Sequence, residues 1–325
     1  MTGYTVKKYD QNDAAIWNDF IAKAKNATFL FHRDFTEYHK DRFTDFSLLV
    51  FKNENLIAVL PANKEANSVH SHQGLTYGGL VYREQTKLST VIGVFQSVLL
   101  FLNENGIQNL IFKTLPSLYH LKPAEEILYC LFLAEAKLIR RDALAVIDLS
   151  QKNSISKIRK RGFQKAISNQ LTIKEEDNLE SFWNEILIPN LDKRHKAIPV
   201  HSLEEISRLK QLFPNNIRQF NVYCKDKIVG GTTIFETETV AHCQYISKLE
   251  QEDNLGSLDF LFQHLIQEKF ARKRFFDFGI SNENQGKKLN EGLSYWKESF
   301  GAGTIIHDFY EVETSRYSLL NNVLI

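Results

Sequence analysis

Apolar residues recur in two matching series along the chain. In the first, Phe46–Asn63 (FSLLVFKNENLIAVLPAN) reads as a strand, a polar turn at Lys52–Asn55 and a second strand, the pattern of a hairpin. A stretch with several glycines, HQGLTYGGLVY, leads to an apolar-periodic segment from Leu88 to Asn103 that predicts a helix. Gly106 stops it, and QNLIFKTL reads as the next strand. In the second series, Arg218–Phe235 is again strand, polar turn (Lys225–Lys227) and strand, and TVAHCQYISK adds a third. Gly256 and Ser257 open a helix that runs toward Phe270, and KRFFDFGIS closes with another strand. Phe51–Ala58 lays on Tyr223–Gly230, and Asn109–Phe112 on Arg274–Asp277, so the duplication is of pattern more than of letters. Each copy pairs antiparallel strands and then adds a helix and a strand. That order predicts an α/β protein of two tandem domains, each a mixed, mostly antiparallel sheet flanked by helices.

Between the copies lies SQKNSISKIRKRGFQKAISNQ, whose first part carries Lys157, Arg159, Lys160, Arg161 and Lys165. It reads as a basic linker helix, with the domain boundary near Ser150–Ser154, giving domains 1–152 and 153–325. Lys193, Arg194, His195 and Lys196 form a second small basic cluster that could flank the same groove.

The chain has 325 residues, 43% of them apolar, enough for two ordinary cores. Forty basic residues against 39 acidic ones leave a net charge of +1, so no global field draws the protein to DNA or to an anionic membrane. Cys130, Cys224 and Cys243 are far apart in apolar sequence, which reads as buried small hydrophobes, not a disulfide framework or a zinc site. The N-terminus has no apolar signal-peptide core. The longest apolar run, near Val91–Leu102, is broken by Gln96 and Ser97, so no membrane insertion is expected and a cytoplasmic location is. Oligomeric state is not legible.

Candidate chemistry gathers around FDFGISNENQGKKLNEGLSYWKESFGAG, which begins at Phe276. Asp277 sits among phenylalanines on what reads as a central strand, where a carboxylate needs a partner. Gly279 permits a turn that a β-carbon would obstruct. Leu289, Leu293, Trp296 and Phe300 form an apolar helical stripe, and Lys297 lies at its flank. Its ammonium either snorkels to solvent or reaches into a site. On the strand VAHCQYIS, His242 could accept a proton and Tyr245 donate one, or both could simply pack. Asn282, Asn284 and Asn290 follow the strand and suit either polar substrate groups or turn chemistry. In the first half, His70 and His72 read as one strand face, with Gly74, Gly78 and Gly79 behind. No third metal ligand is near, so no metal site is expected. His72 and Tyr77 are candidate walls of a substrate pocket. His32 and Arg33 could meet an anion but suit packing better.

The strand-Asp-x-Gly followed by LNEGLSYWKESFGAG, after a duplicated strand–helix–strand unit and a basic helix, resembles the FemAB-like branch of the GNAT acyltransferase superfamily. The resemblance covers most of the chain. It implies two GNAT-like domains and transfer of an acyl group from an activated donor, acyl-CoA first, to an amine acceptor such as a sugar amine, an amino acid or a peptide, with aminoacyl-tRNA as donor and a peptidoglycan-like acceptor as the alternative. Lys297 matches a lysine near the transfer site of Fem-type enzymes. Asp277, His242 and Tyr245 would complete that site, with His72, Tyr77, Asn282 and Asn290 around the substrate. Arg159, Lys160, Arg161, Gly256 and Ser257 stand where donor phosphates or tRNA would bind. One departure is plain: GNAT enzymes cradle coenzyme A pyrophosphate on a Gln/Arg-x-x-Gly-x-Gly/Ala turn, and here Gly256 has no second glycine and two acids precede it. That departure also leaves room for a non-catalytic binding protein on the same fold.

Overall fold

The computed structural model describes residues 3–249 and 255–325, with the backbone alone at Arg194 and His195. The chain forms two compact units. One comprises the residues up to Asp142 with Gln285–Lys287 and Ile306–Ile325; the other comprises Ala143–Asn284 and Lys288–Ile305. The C-terminal twenty residues thus belong to the first unit, not to the second half where the sequence division placed them. The reason is pairing: the strand Gly303–Glu313 lies antiparallel to Asn109–Lys113, with Phe309 opposite Lys113.

In the first unit the hairpin Leu48–Lys52/Asn55–Leu60 turns through Asn53 and Glu54, both at positive φ. Thr5–Lys8 pairs with its first strand and Val81–Tyr82 with its second. A further set runs Thr44–Asp45, Asn63–Glu65, Ser68–His70, Asn109–Lys113. The helix Leu88–Glu104 buries Val91, Phe95, Val98 and Leu102 in one core with Leu48, Val50, Leu110 and Phe112. Full burial of each such side chain is worth roughly 1.5–3 kcal/mol.

In the second unit the strand order is Leu171–Glu176, Ile217–Cys224, Lys227–Glu236, Val240–Lys248, Phe275–Ile280, then the end of Lys137–Asp148. All neighbours are antiparallel except Val240–Lys248 with Phe275–Ile280. The helices Lys157–Ser168, Ser257–His264 and Glu291–Glu298 flank this sheet. Phe262, Phe276, Phe278 and Phe300 pack in its core with Trp296 against them.

The duplication is exact at the hairpins. Phe51 faces Leu56 as Tyr223 faces Ile228, and a bulge precedes both Phe51 and Tyr223. Each unit then has one short parallel pairing: Ser68–His70 with Asn109–Ile111, and Val240–His242 with Phe275–Asp277. The register matches Ile111 with Asp277, one residue away from the sequence alignment, which had set Phe112 there. A strand apolar on both faces offers no alternation to fix its register. Among the described residues no helix is long and apolar enough to cross a membrane.

Candidate transfer site in the second unit

The parallel strands Val240–Lys248 and Phe275–Ile280 pair over three residues and then part. Each carries a bulge just past the last pair. Thr233 faces Tyr245 and Ile234 faces Cys243, leaving Gln244 as the extra residue. On the partner strand Asp277 faces Val146 and Ile280 faces Leu144, an extra residue at Phe278–Gly279. Bulges bend the strands that carry them, so the two carboxyl ends are set apart by local geometry. Gly279 takes φ +71, and a β-carbon there would lie 3.3 Å from His242 Cε1.

At the parting point His242 and Asp277 are direct neighbours across the ladder. His242 Nδ1 lies 2.8 Å from Asp277 Oδ2, and Asp277 Oδ1 accepts the Gly279 N–H at 2.7 Å. Asp277 is buried, and 10% of the His242 side chain is exposed. With Nδ1 committed to the carboxylate, Nε2 is the nitrogen left to exchange a proton. This is why a carboxylate is tolerated among phenylalanines: it is bonded on both oxygens.

Lys297 is not a snorkelling surface lysine. It is 3% exposed, and Nζ donates to the carbonyls of Gly279 (3.1 Å) and Ile280 (2.6 Å), the end of the Asp277 strand. Burial pulls its pKa down to about 8, against the opposing pull of Asp277 and Cys243. Cys243 is also buried, and burial beside Asp277 pushes its thiol well up. The apolar stripe expected on this helix is only half real. Trp296 and Phe300 pack inward, whereas Leu289 precedes the helix at 56% exposure and Leu293 is 40% exposed.

Leu293 instead lines a cleft of about 390 Å³ with Trp296, Leu187, Asn190, Leu191, Ile246, Ser247, Lys248 and Leu258. It is built on the diverging end of the His242 strand and on the helix of Lys297, although neither side chain is among its lining residues. Asn190 donates to Ser247 Oγ (2.8 Å) and to the Lys248 carbonyl (2.6 Å), tying the wall together. Leu187 ends a π-helical turn, Trp183–Leu187, a distortion that recurs at functional sites. The sequence reading missed this lining. Its one signal was the stripe containing Leu293 and Trp296.

Other expected site residues do different work. The Tyr245 hydroxyl pairs with His201 Nδ1 at 2.6 Å and accepts the His201 backbone N–H, so it is turned to a neighbour other than the His242–Asp277 pair. Asn282 accepts the Ala143 N–H, and Asn290 caps the helix Glu291–Glu298 through the Leu293 N–H. His72 and Tyr77 lie in the first unit. Tyr77 is buried and bonds to Thr28 Oγ1. His72 has left the strand of His70: it sits at φ +73 and stacks on His39.

The donor-phosphate candidates also resolve. Arg159 pairs with Asp259 at 2.6 Å and lies over the Phe300 ring. Lys160 and Arg161 are exposed on the helix Lys157–Ser168. Gly256, at φ +77, starts the helix Ser257–His264, and a β-carbon there would fall 2.1 Å from the Gly162 carbonyl oxygen. Ser257 is buried beneath this contact. The basic helix therefore packs against the first turn of Ser257–His264, where its Arg159 pairs with Asp259. The two acids before Gly256, Glu252 and Asp253, lie outside the described residues, as do the side chains of Arg194 and His195 in the second basic cluster.

No protein-family model matches the sequence, and no curated protein does. Solved structures do. FemX superposes with a TM-score of 0.66 at 9% identity, covering 98% of this chain and 99% of that one. L-PGS from Bacillus licheniformis gives 0.62 at 14% identity over 97% and 96%. A tandem GNAT protein from the clavulanic acid biosynthesis pathway gives 0.51 at 10% identity over 96% and 98%. The chain has the FemAB-like, tandem GNAT fold.

Proposed function

We propose that the protein transfers an aminoacyl or acyl group from an ester-type donor to an amine, at the parted strands of the second unit. The observation that carries this reading is the His242–Asp277 pair at the point where two parallel strands diverge. Ligands of open α/β sheets settle beyond the carboxyl ends of such strands. The amine attacks the donor carbonyl, a C–N bond forms and the C–O bond to the donor breaks. His242 Nε2 takes the amine proton and returns one to the leaving oxygen. Asp277 holds the ring in the tautomer that leaves Nε2 unprotonated. Lys297 is a positioning residue, holding the Gly279–Ile280 bulge by its two carbonyl bonds.

The covered turn at Gly256 supports a donor other than coenzyme A. A pyrophosphate cradle needs open backbone N–H groups at a helix start, and here the Gly162 carbonyl of the basic helix closes on that start. The exposed Lys157, Lys160 and Arg161 on the same helix would suit an RNA backbone, which supports aminoacyl-tRNA, the donor implied by the Fem-type resemblance, over acyl-CoA. Thermal-shift titration with coenzyme A, acetyl-CoA and bulk tRNA tests this. A ligand at about 100 times its Kd stabilises by about 2.7 kcal/mol. The reading expects a shift with tRNA that fades as salt is raised, and none with either thioester-family ligand. A shift with acetyl-CoA alone would make the protein a thioester-dependent N-acyltransferase. Binding of an amine ligand without turnover of any donor would leave a binding protein on a transferase fold.

A further inference from the structure

The first unit has its own parting point. Ser68–His70 pairs in parallel with Asn109–Ile111 over three residues, and beyond it a cleft of about 380 Å³ opens. Its walls include His70, His72, Lys113, Ile139, Arg140 and Phe309. Here the chain does not continue as an even strand. Residues 71–80 form an excursion, and Ser71 Oγ donates to the Lys113 carbonyl while accepting the Lys113 N–H. Lys113 Nζ donates to the carbonyls of His72 (3.2 Å) and Leu75 (2.5 Å).

Two cations converge on one aromatic ring. The Arg140 guanidinium lies 4.5 Å from the Phe309 centroid and Lys113 Nζ 5.8 Å from it. Arg140 bonds to the buried Asp142 and reaches Gln285 Oε1 at 3.2 Å, and His70 is 3.4 Å from Glu65. Among the described residues Lys113 Nζ hydrogen-bonds no carboxylate. Burial and the nearby Arg140 both lower its proton affinity, with only Asp142 opposing. Asp142 answers one of these charges, bonded to Arg140 through Nε and Nη2, and the second is costly at the edge of an apolar floor unless a further anion joins it. Ile111, Ile139 and Phe309 supply that floor, and a cleft of this volume lies at the lower end of small-molecule sites.

We propose that this cleft is a ligand site separate from the transfer site, taking a small molecule that carries a phosphate or carboxylate on an apolar body. The oxyanion meets Arg140 and Lys113, and the apolar part lies on Phe309 between Ile111 and Ile139. Phenyl phosphate and phenylacetate are suitable probes, with benzyl alcohol as the neutral control, read by methyl NMR of Ile111 and Ile139. Saturable shifts of those methyls with either anion support the site, and whichever arm binds tighter identifies the oxyanion. Ile139→Glu, at an exposed wall position, should weaken binding by at least about tenfold, the effect of one opposed charge worth about 1.4 kcal/mol. Arg140→Gln should do the same, whereas Lys152→Ala, at an exposed position of the second unit, should leave this binding unchanged. The proposal is overturned if neither anion perturbs these methyls at about 10 mM. It is equally overturned if benzyl alcohol binds as well, if Ile139→Glu binds undiminished, or if the shifts map elsewhere.

Discussion

Lys297 shows how burial changes what a side chain can do. Its amine is held near a pKa of about 8 by desolvation, so about a tenth is neutral at pH 7, against almost none for a solvated lysine. The same shift has a cost in stability. The folded state binds this proton less tightly than the unfolded chain, so the penalty is complete below pH 8 and is relieved as pH rises toward 10.5. Relative to Lys297→Met, the wild type should therefore gain on the order of 3 kcal/mol between about pH 8 and pH 10.5, measured by urea unfolding at each pH. A difference flat with pH would place the amine in solvent. From the sequence, position 297 was legible as a residue of interest but its direction was not. A lysine at the flank of an apolar stripe can turn either way, and two backbone carbonyls at the end of a distant strand decide it. Tyr245 went astray for a similar reason, since its partner His201 is 44 residues away in sequence.

At the scale of elements, bulges and glycines shape the site. Gly279→Ala would force a side chain into a left-handed backbone and press on the His242 ring. It should cost about 1–2 kcal/mol in thermal unfolding while lowering transfer far more than stability, because the ring moves off its line. Gly256→Ala meets the Gly162 carbonyl as well as an unfavourable φ. It should cost at least about 2 kcal/mol and loosen the basic helix, seen as faster hydrogen exchange in Lys157–Ser168. The hairpins were readable from sequence because each has its own polar turn and alternating strands. The one-residue error at Asn109–Phe112 was not avoidable that way, since its counterpart strand is apolar at Phe275, Phe276 and Phe278, and Gly279 marks a turn without fixing the register before it.

Across the whole molecule, the two copies keep the same sheet plan but put different chemistry at the equivalent position: Asp277 opposite His242 in one, Ile111 opposite His70 in the other. The first unit also stores acid sensitivity. His39, His120 and His307 are each buried with pKa lowered to about 4, chiefly by desolvation. Their folded-state affinity lies below the unfolded 6.5, so the stability tied to their neutral forms is present above pH 6.5 and drains away between about pH 6.5 and pH 4. Each contributes on the order of 3 kcal/mol over that window. His39→Leu should shift the acid-unfolding midpoint of the first unit downward, followed by hydrogen exchange of the helix Leu88–Glu104; an unchanged midpoint would exclude His39 from that role. The tandem plan was legible in the repeated hairpins. The return of the last twenty residues to the first unit was not, because strand pairing across some 200 residues depends on contacts no local pattern encodes.

The most direct test is release of label from a donor. Wild type and His242→Gln would be incubated with a mixed pool of radiolabelled aminoacyl-tRNA, and separately with labelled acetyl-CoA, in the presence of a panel of amines. The account predicts amine-dependent loss of label from tRNA by the wild type, none from acetyl-CoA, and a rate at least about 100-fold lower for His242→Gln. Equal rates for the two proteins would remove the His242–Asp277 pair from the chemistry. No transfer from either donor with any amine would contradict the transferase reading itself.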